Sequence, residues 1–153
     1  MDSSDKAIYF NADGICDHCL TFDREIMPVW NNGFGRDEEL KLIVDGIKKN
    51  GAGEDFDCIL GMSGGIDSSY LLYLAKEKLG LRPLVFHVDA GWNSQIAVNN
   101  IERLVDGLNL DLFTEVINWG DMQSLQRSFF KAGVPHVDVP QDHAFFATMY
   151  KFA

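Results

Sequence analysis

Apolar and polar positions along this chain follow two rhythms. From Asp37 the apolar residues Leu40, Ile43, Val44 and Ile47 recur at helical spacing, predicting a helix that stops at Asn50-Gly51-Ala52-Gly53. Asp57-Cys58-Ile59-Leu60-Gly61 is a short apolar run that predicts a strand, and Ser68 to Leu79 predicts a helix with Leu71, Leu74, Ala75 and Leu79 inward. The alternation then repeats. A strand is predicted over Pro83 to Val88, and a helix from about Ser94 to Gly107 with Ala97, Ile101, Leu104, Val105 and Leu108 inward. A third strand, Asp111 to Ile117, precedes a helix from about Asp121 to Ala132, and a last helix runs from roughly Gln141 to Phe152. Short apolar strands alternating with amphipathic helices imply right-handed βαβ units, hence an α/β fold: a three-layer parallel sheet with helices on both faces. Three strands are few against the usual sheet, and the chain stops on a helix, so the sheet is expected to be incomplete and to lack a fourth strand.

The first part reads differently. Residues 1–35 are predicted to form a small appendage, with a strand-like stretch Ala7 to Phe10, a turn at Asn11-Ala12-Asp13-Gly14, then Cys16-Asp17-His18-Cys19, and a loop at Asn31-Asn32-Gly33-Phe34-Gly35. Residues 36–153 are the α/β domain, with no internal repeat or low-complexity segment. With 46% hydrophobic and 24% charged residues, the 153-residue chain has the composition of one globular domain. Thirteen basic against 23 acidic side chains give a net charge of −10, the wrong sign for holding nucleic acid by its phosphates. Apolar runs fall far short of the roughly 18 residues a membrane span needs, and Met1 to Lys6 is polar, so no membrane partner and a cytoplasmic location are expected. Three cysteines are too few, and odd in number, for a disulfide framework.

The candidate chemistry lies after the first strand. In Gly61-Met62-Ser63-Gly64-Gly65-Ile66-Asp67-Ser68, adjacent glycines let backbone amides turn toward an anion, Ser63 and Ser68 add hydroxyls, and the following helix adds its positive N-terminal dipole. The loop is not a Walker A motif, lacking Gly-Lys-Ser/Thr, nor the Gly-x-Gly-x-x-Gly dinucleotide fingerprint. Asp67 would repel phosphate unless a cation lies between, so it reads either as a helix cap or as a Mg2+ ligand. The plain alternative is a tight turn with Asp67 or Ser68 capping the helix.

Ser63-Gly64-Gly65-x-Asp67-Ser68 at a strand-to-helix turn resembles the signature of the PP-loop ATP pyrophosphatases, with their adenine nucleotide alpha hydrolase-like fold. That resemblance implies ATP as cofactor, its pyrophosphate on Ser63, Gly64, Gly65, Asp67 and Ser68, its adenine near His87, Val88 and Asp89, and AMP transfer to a substrate oxygen. Further blocks, Phe10 to Cys19, His87 to Asn93 and Gly133 to His143, together resemble the N-acetyl sugar amidotransferases of bacterial surface and lipopolysaccharide biosynthesis. The resemblance covers nearly the whole chain. It implies adenylation of the acetamido oxygen of an N-acetylated nucleotide-sugar or sugar acid, then displacement of AMP by ammonia from a separate glutaminase subunit, giving an acetamidino sugar. Asp67, Ser68 and Asp142 are the catalytic candidates, and Asp89, Asp142 and His143 are candidates to hold metal or sugar. Trp92 and Asn93 could line the pocket, although Trp92 could equally be an edge of the core.

Relatives in that family carry another Cys-x-x-Cys pair upstream, so Cys16 and Cys19 read as half of a zinc knuckle, with Zn2+ expected only where the missing pair is present. Cys58 reads as a buried strand residue. Relatives are also longer, so the domain is expected to be truncated at its C-terminus and this part alone weakly active or inactive. Other readings are a different PP-loop adenylating enzyme (tRNA-thiolating or NAD-synthetase-like), a non-catalytic nucleotide-binding module, and a zinc-ribbon interaction module. The net charge of −10 disfavours the tRNA enzyme.

Overall fold

Pro83–Asp89 forms the middle strand of a parallel sheet, and its residues are buried on both faces, as a near-continuous apolar run requires. The computed structural model describes residues 2–30 and 36–153. Two compact units divide the chain, Met1–Leu42 and Ile43–Ala153.

In the first unit the stretch predicted as a strand, Ala7 to Phe10, is reduced to a single antiparallel bridge, Phe10 to Cys16. The cause is the tight Asn11 turn, whose side-chain Oδ1 accepts from the amides of Asp13 (3.0 Å) and Ile15 (2.9 Å) and reverses the chain before a ladder can lengthen. Cys16 then caps helix α1, Asp17–Thr21, which continues as a π-helical turn over Phe22–Ile26 that the apolar pattern did not announce. The predicted loop at residues 31–35 lies outside the described residues.

Helix α2, Asp37–Asn50, begins at the predicted residue, but of its apolar stripe only Val44 is buried and Ile47 partly so, while Leu40 and Ile43 stay exposed. Strand β1 (Cys58–Gly61), helix α3 (Ile66–Tyr73), β2 (Pro83–Asp89), α4 (Gln95–Leu108), β3 (Leu112–Val116), α5 (Trp119–Ala132) and α6 (Val139–Phe152) follow in the predicted alternation. The fold is α/β, with sheet order β1-β2-β3, all parallel, and β1 and β3 each leaving one edge open among the described residues.

Helices cover both faces. On one, Val85 of β2 meets Leu72 of α3 and Ile101 and Val105 of α4, and a second cluster joins Val44, Ala75 and Leu81. On the other, Phe86 stacks with Phe113 of β3 at 5.5 Å between ring centroids and meets Phe152 of α6 at 5.1 Å. Successive strand residues point to opposite faces, so Val85 and Phe86 belong to different layers. The inward set of α3 departs from expectation: Leu71 is 50% exposed and Leu72 only 1%. A π-helical turn over Leu74–Lys78 adds a residue to the local turn, so the phase set by Leu79 does not carry back to Leu71. Among the described residues, no helix is long and apolar enough to cross a membrane.

Candidate functional site

The turn from β1 into α3 occupies the carboxyl edge of the sheet, where open parallel sheets bind ligands. Gly64 adopts φ +77°, and a Cβ there would run into the backbone of Ala97 at the start of α4, lying 2.8 Å from its Cα. The amide of Asn100 fixes the turn from the same helix, donating to the Gly64 carbonyl at 3.0 Å. Helix α3 starts two residues earlier than predicted, at Ile66, and its N-cap is Gly65 in extended conformation without a side-chain cap bond. Asp67 therefore stands inside the first turn and does not fill the cap position that the plain reading gave it or Ser68.

Two serines close the turn on itself. Ser63 Oγ lies 3.0 Å from Ser68 Oγ and accepts from the Gly65 amide at 3.3 Å, while Ser68 Oγ accepts from the Ser63 amide at 3.3 Å and donates to the Gly65 carbonyl at 3.2 Å. Hydroxyl protons rotate freely, so these are donors that an incoming anion can recruit, beside the unbonded first-turn amides of α3.

The turn opens into a cleft of about 630 Å3, within the range of small-molecule sites. Its polar lining comes from Ser63, Ser68, His87, Asn93, Gln141 and Asp142, and its apolar wall from Phe86, Val88, Phe145, Phe146 and Met149. The structure thus brings Ser63, Ser68, His87, Val88, Trp92, Asn93 and Asp142 to one cavity. Asp67, Asp89 and His143 are not among its lining residues. The Asp89 carboxylate instead accepts from the Gly91 amide at 2.8 Å, and His143 is exposed on α6. A smaller hollow of about 380 Å3 lies against Gly64, Gly65, Ser69, Asn100 and Arg103, placing a guanidinium beside the glycine turn. Asn100, Arg103 and the α6 aromatics escaped the sequence reading because they read as helix-face residues; the signal that could have found the aromatics is that α6 is apolar on more than one face.

His87 is buried within β2, and both of its ring nitrogens have partners. Nδ1 donates to the Met62 carbonyl at 2.8 Å, and Nε2 lies 3.0 Å from Asn93 Nδ2, which ties the β1 end to the β2–α4 loop.

Past β2, Gly91 at φ +85° admits Trp119, the first residue of α5: a Cβ there would lie 2.5 Å from the indole Cε3. Trp119 meets Trp92 edge to face, ring centroids 4.7 Å apart and planes at 70°. Gly91→Ala is expected to push Trp119 off this loop at a cost of about 1–3 kcal/mol for the left-handed backbone, read as loss of the near-ultraviolet circular dichroism of the indole pair.

The glycine turn, hydroxyls and α3 N-terminus fit a polyphosphate. No group of three or more His, Cys, Asp or Glu side chains converges among the described residues, so an all-protein cation cage is absent there. Mg2+ is ordinarily held by one or two carboxylates plus substrate phosphates, and Asp67, exposed beside the turn, offers such a carboxylate. In the first unit Cys16 Sγ and Cys19 Sγ stand 3.4 Å apart, two of the four donors a structural zinc takes. The Cys19 amide and thiol both hydrogen-bond Cys16 and hold its thiol below the usual range, and sharing that proton pushes Cys19 up. Cys58 is partly buried in β1, and burial pushes its thiol up.

No family model matches the chain. An uncharacterized protein of Methanocaldococcus jannaschii is 33% identical over 107 residues, covering 70% of this chain and 36% of its own length. Among solved structures, the chain is similar to the NH3-dependent NAD synthetase of Campylobacter jejuni, with a TM-score of 0.49, 20% identity, and 75% of this chain matched to 51% of that one. It is similar also to the NMN synthetase of Francisella tularensis, at TM-score 0.41 and 21% identity, with 61% of this chain and 40% of that one covered. The NAD+ synthetase of Burkholderia pseudomallei matches at TM-score 0.37 and 20% identity, covering 76% and 54%. The chain spans about a third of the curated relative (36%) and about half of the Campylobacter synthetase (51%).

Proposed function

We propose that this chain carries the ATP site of a PP-loop amidotransferase that converts the acetamido group of an N-acetylated sugar into an acetamidino group. The observation that carries the ATP part is the Ser63–Ser68 turn, pinned to α4 through Gly64 and opening into a cleft walled by the ends of β2 and α6. The sugar part rests on the motif blocks and on the amide and carboxylate groups of Asn93, Gln141 and Asp142 in that cleft.

An amide carbon is a poor electrophile, and esterifying its oxygen with phosphate supplies a leaving group. The acetamido oxygen attacks the α-phosphorus, forming a C–O–P link as the bond to pyrophosphate breaks. Ammonia then adds to the imidate carbon, the C–O bond breaks, and AMP carries the oxygen away. Charge that develops on pyrophosphate meets the amides of the α3 N-terminus and the Ser63 and Ser68 hydroxyls, with Arg103 beside the same turn. Asp67 would hold Mg2+ together with phosphate oxygens, the metal neutralising their charge. A separate glutaminase subunit supplies the ammonia in this reading. The net charge of −10 favours a small-molecule acceptor over tRNA.

Calorimetric titration with MgATP tests the first step. Ser68→Ala should weaken binding about ten- to a hundredfold, the worth of one or more hydrogen bonds to a charged group. Asp67→Asn should reduce Mg2+-dependent affinity, whereas a Mg2+-independent nucleotide module would tolerate it. AMP and pyrophosphate release with ammonium and a panel of UDP-linked N-acetyl sugars tests the second step. No MgATP binding by the folded chain would sink the whole reading.

A further inference from the structure

Trp92 is 50% exposed and Trp119 42%, yet both are held firmly, which is costly for the two largest apolar side chains of the domain. Three separate devices fix them. Asp89 accepts from the Gly91 amide and sets the loop, Gly91 lacks the Cβ that would meet Trp119, and Asn118 caps α5 by accepting from the Asp121 amide at 3.1 Å. Trp92 is thereby braced edge to face by Trp119 while lining the cleft. Its sequence neighbour Asn93 is braced as well, its Nδ2 on His87 Nε2, and Asp142 and Gln141 reach the same cavity from α6.

A fixed indole with amide and carboxylate side chains around it is the chemistry that holds a pyranose: the apolar face of the ring lies on the aromatic, and its hydroxyls meet the polar groups. We infer that Trp92 is the platform for the sugar ring of the acceptor. This rests on the reading of the cleft as an ATP and acceptor site. Adenine has its own apolar surface available in Phe145, Phe146 and Met149, which leaves the indole for the second ligand.

Saturation-transfer difference NMR on the chain with MgATP and UDP-N-acetylglucosamine reads each ring separately, through adenine H8, uracil H6 and the pyranose protons. Wild type should transfer saturation to the pyranose, and Trp92→Ala should lower that transfer about two- to tenfold, as expected for one lost stacking contact, with adenine unchanged. Trp92→Phe should retain most of it, and serves if the alanine variant fails to fold. Pyranose signals absent in wild type, or unchanged in Trp92→Ala, overturn the inference, as does loss of the adenine or uracil signal in place of the pyranose one. Absence of adenine transfer in wild type, with pyranose transfer intact and dependent on Trp92, instead overturns the ATP reading and leaves the platform standing.

Discussion

Gly64→Ala is expected to lower the melting temperature by about 5–15 °C and to abolish MgATP binding in the molecules that remain folded. Two costs add. A residue with a Cβ at φ +77° meets the left-handed penalty of about 1–2 kcal/mol, and the new methyl group drives into the Ala97 backbone, an overpacking cost of about 1–3 kcal/mol. The contact is with backbone at the start of a helix and not with the free end of a side chain, so relief requires α4 to move as a unit or the turn to lift away from it. Lifting the turn breaks the Asn100 bond to the Gly64 carbonyl and displaces Ser63 and Ser68 from their mutual spacing of 3.0 Å. Gly53→Ala separates the two costs, since Gly53 also has a positive φ, +94°, but nothing within 4 Å of the added atom. Thermal unfolding followed by circular dichroism should therefore show a much smaller drop for Gly53→Ala, with titration by MgATP unchanged. Equal drops for the two variants would show that close approach to Ala97 does not hold the loop.

Local signals in the sequence were strong wherever one element decides the outcome by itself. All five inward positions expected for α4 are buried or partly buried, because its Ser94 cap, accepting from the Ala97 amide at 3.2 Å, and an unbroken 3.6-residue rhythm set one phase for the whole helix. The Ser63–Ser68 turn was legible for the same reason, since glycines, hydroxyls and helix start are contiguous. Legibility failed where phase or distance intervened. In α3 the π-helical turn at Leu74–Lys78 shifted the buried position from Leu71 to Leu72. In the cleft, Phe145, Phe146 and Met149 come from α6, on the opposite side of the sheet from α3, and no spacing rule links residues so far apart in the chain. Trp119 was hidden in another way: it lies at the start of a helix, where a large aromatic has no expected role, and its partner is a missing Cβ at Gly91. The net charge of −10 says nothing about where acidic groups sit, and the Asp57 carboxylate is buried against Arg82.

Asp57→Ala should cost about 2–3 kcal/mol, the loss of hydrogen bonds to a charged group that is almost wholly buried. The Asp57 side chain is 4% exposed and accepts from Arg82 twice, from its guanidinium at 2.5 Å and its amide at 2.9 Å. Arg82 also donates to the carbonyls of Gly51 (2.8 Å) and Glu54 (2.6 Å), so one ion pair ties the α2–β1 loop to the start of β2. Arg82 holds the Asp57 carboxyl below its ordinary 3.8. A carboxyl lowered by folding stabilises the native state above its unfolded value, and that contribution is lost as pH falls through the folded value. The gap in melting temperature between wild type and Asp57→Ala should therefore be constant from neutral pH down to about 5 and shrink steadily below about pH 4, as the unfolded carboxyl and then the folded one take up protons. Asp57→Asn keeps the shape and removes the charge, and should lie between the two with no such narrowing. Melting curves of the three proteins at a series of pH values decide the matter, and a gap that persists undiminished to pH 2 would mean that Asp57 contributes through packing and not through its charge.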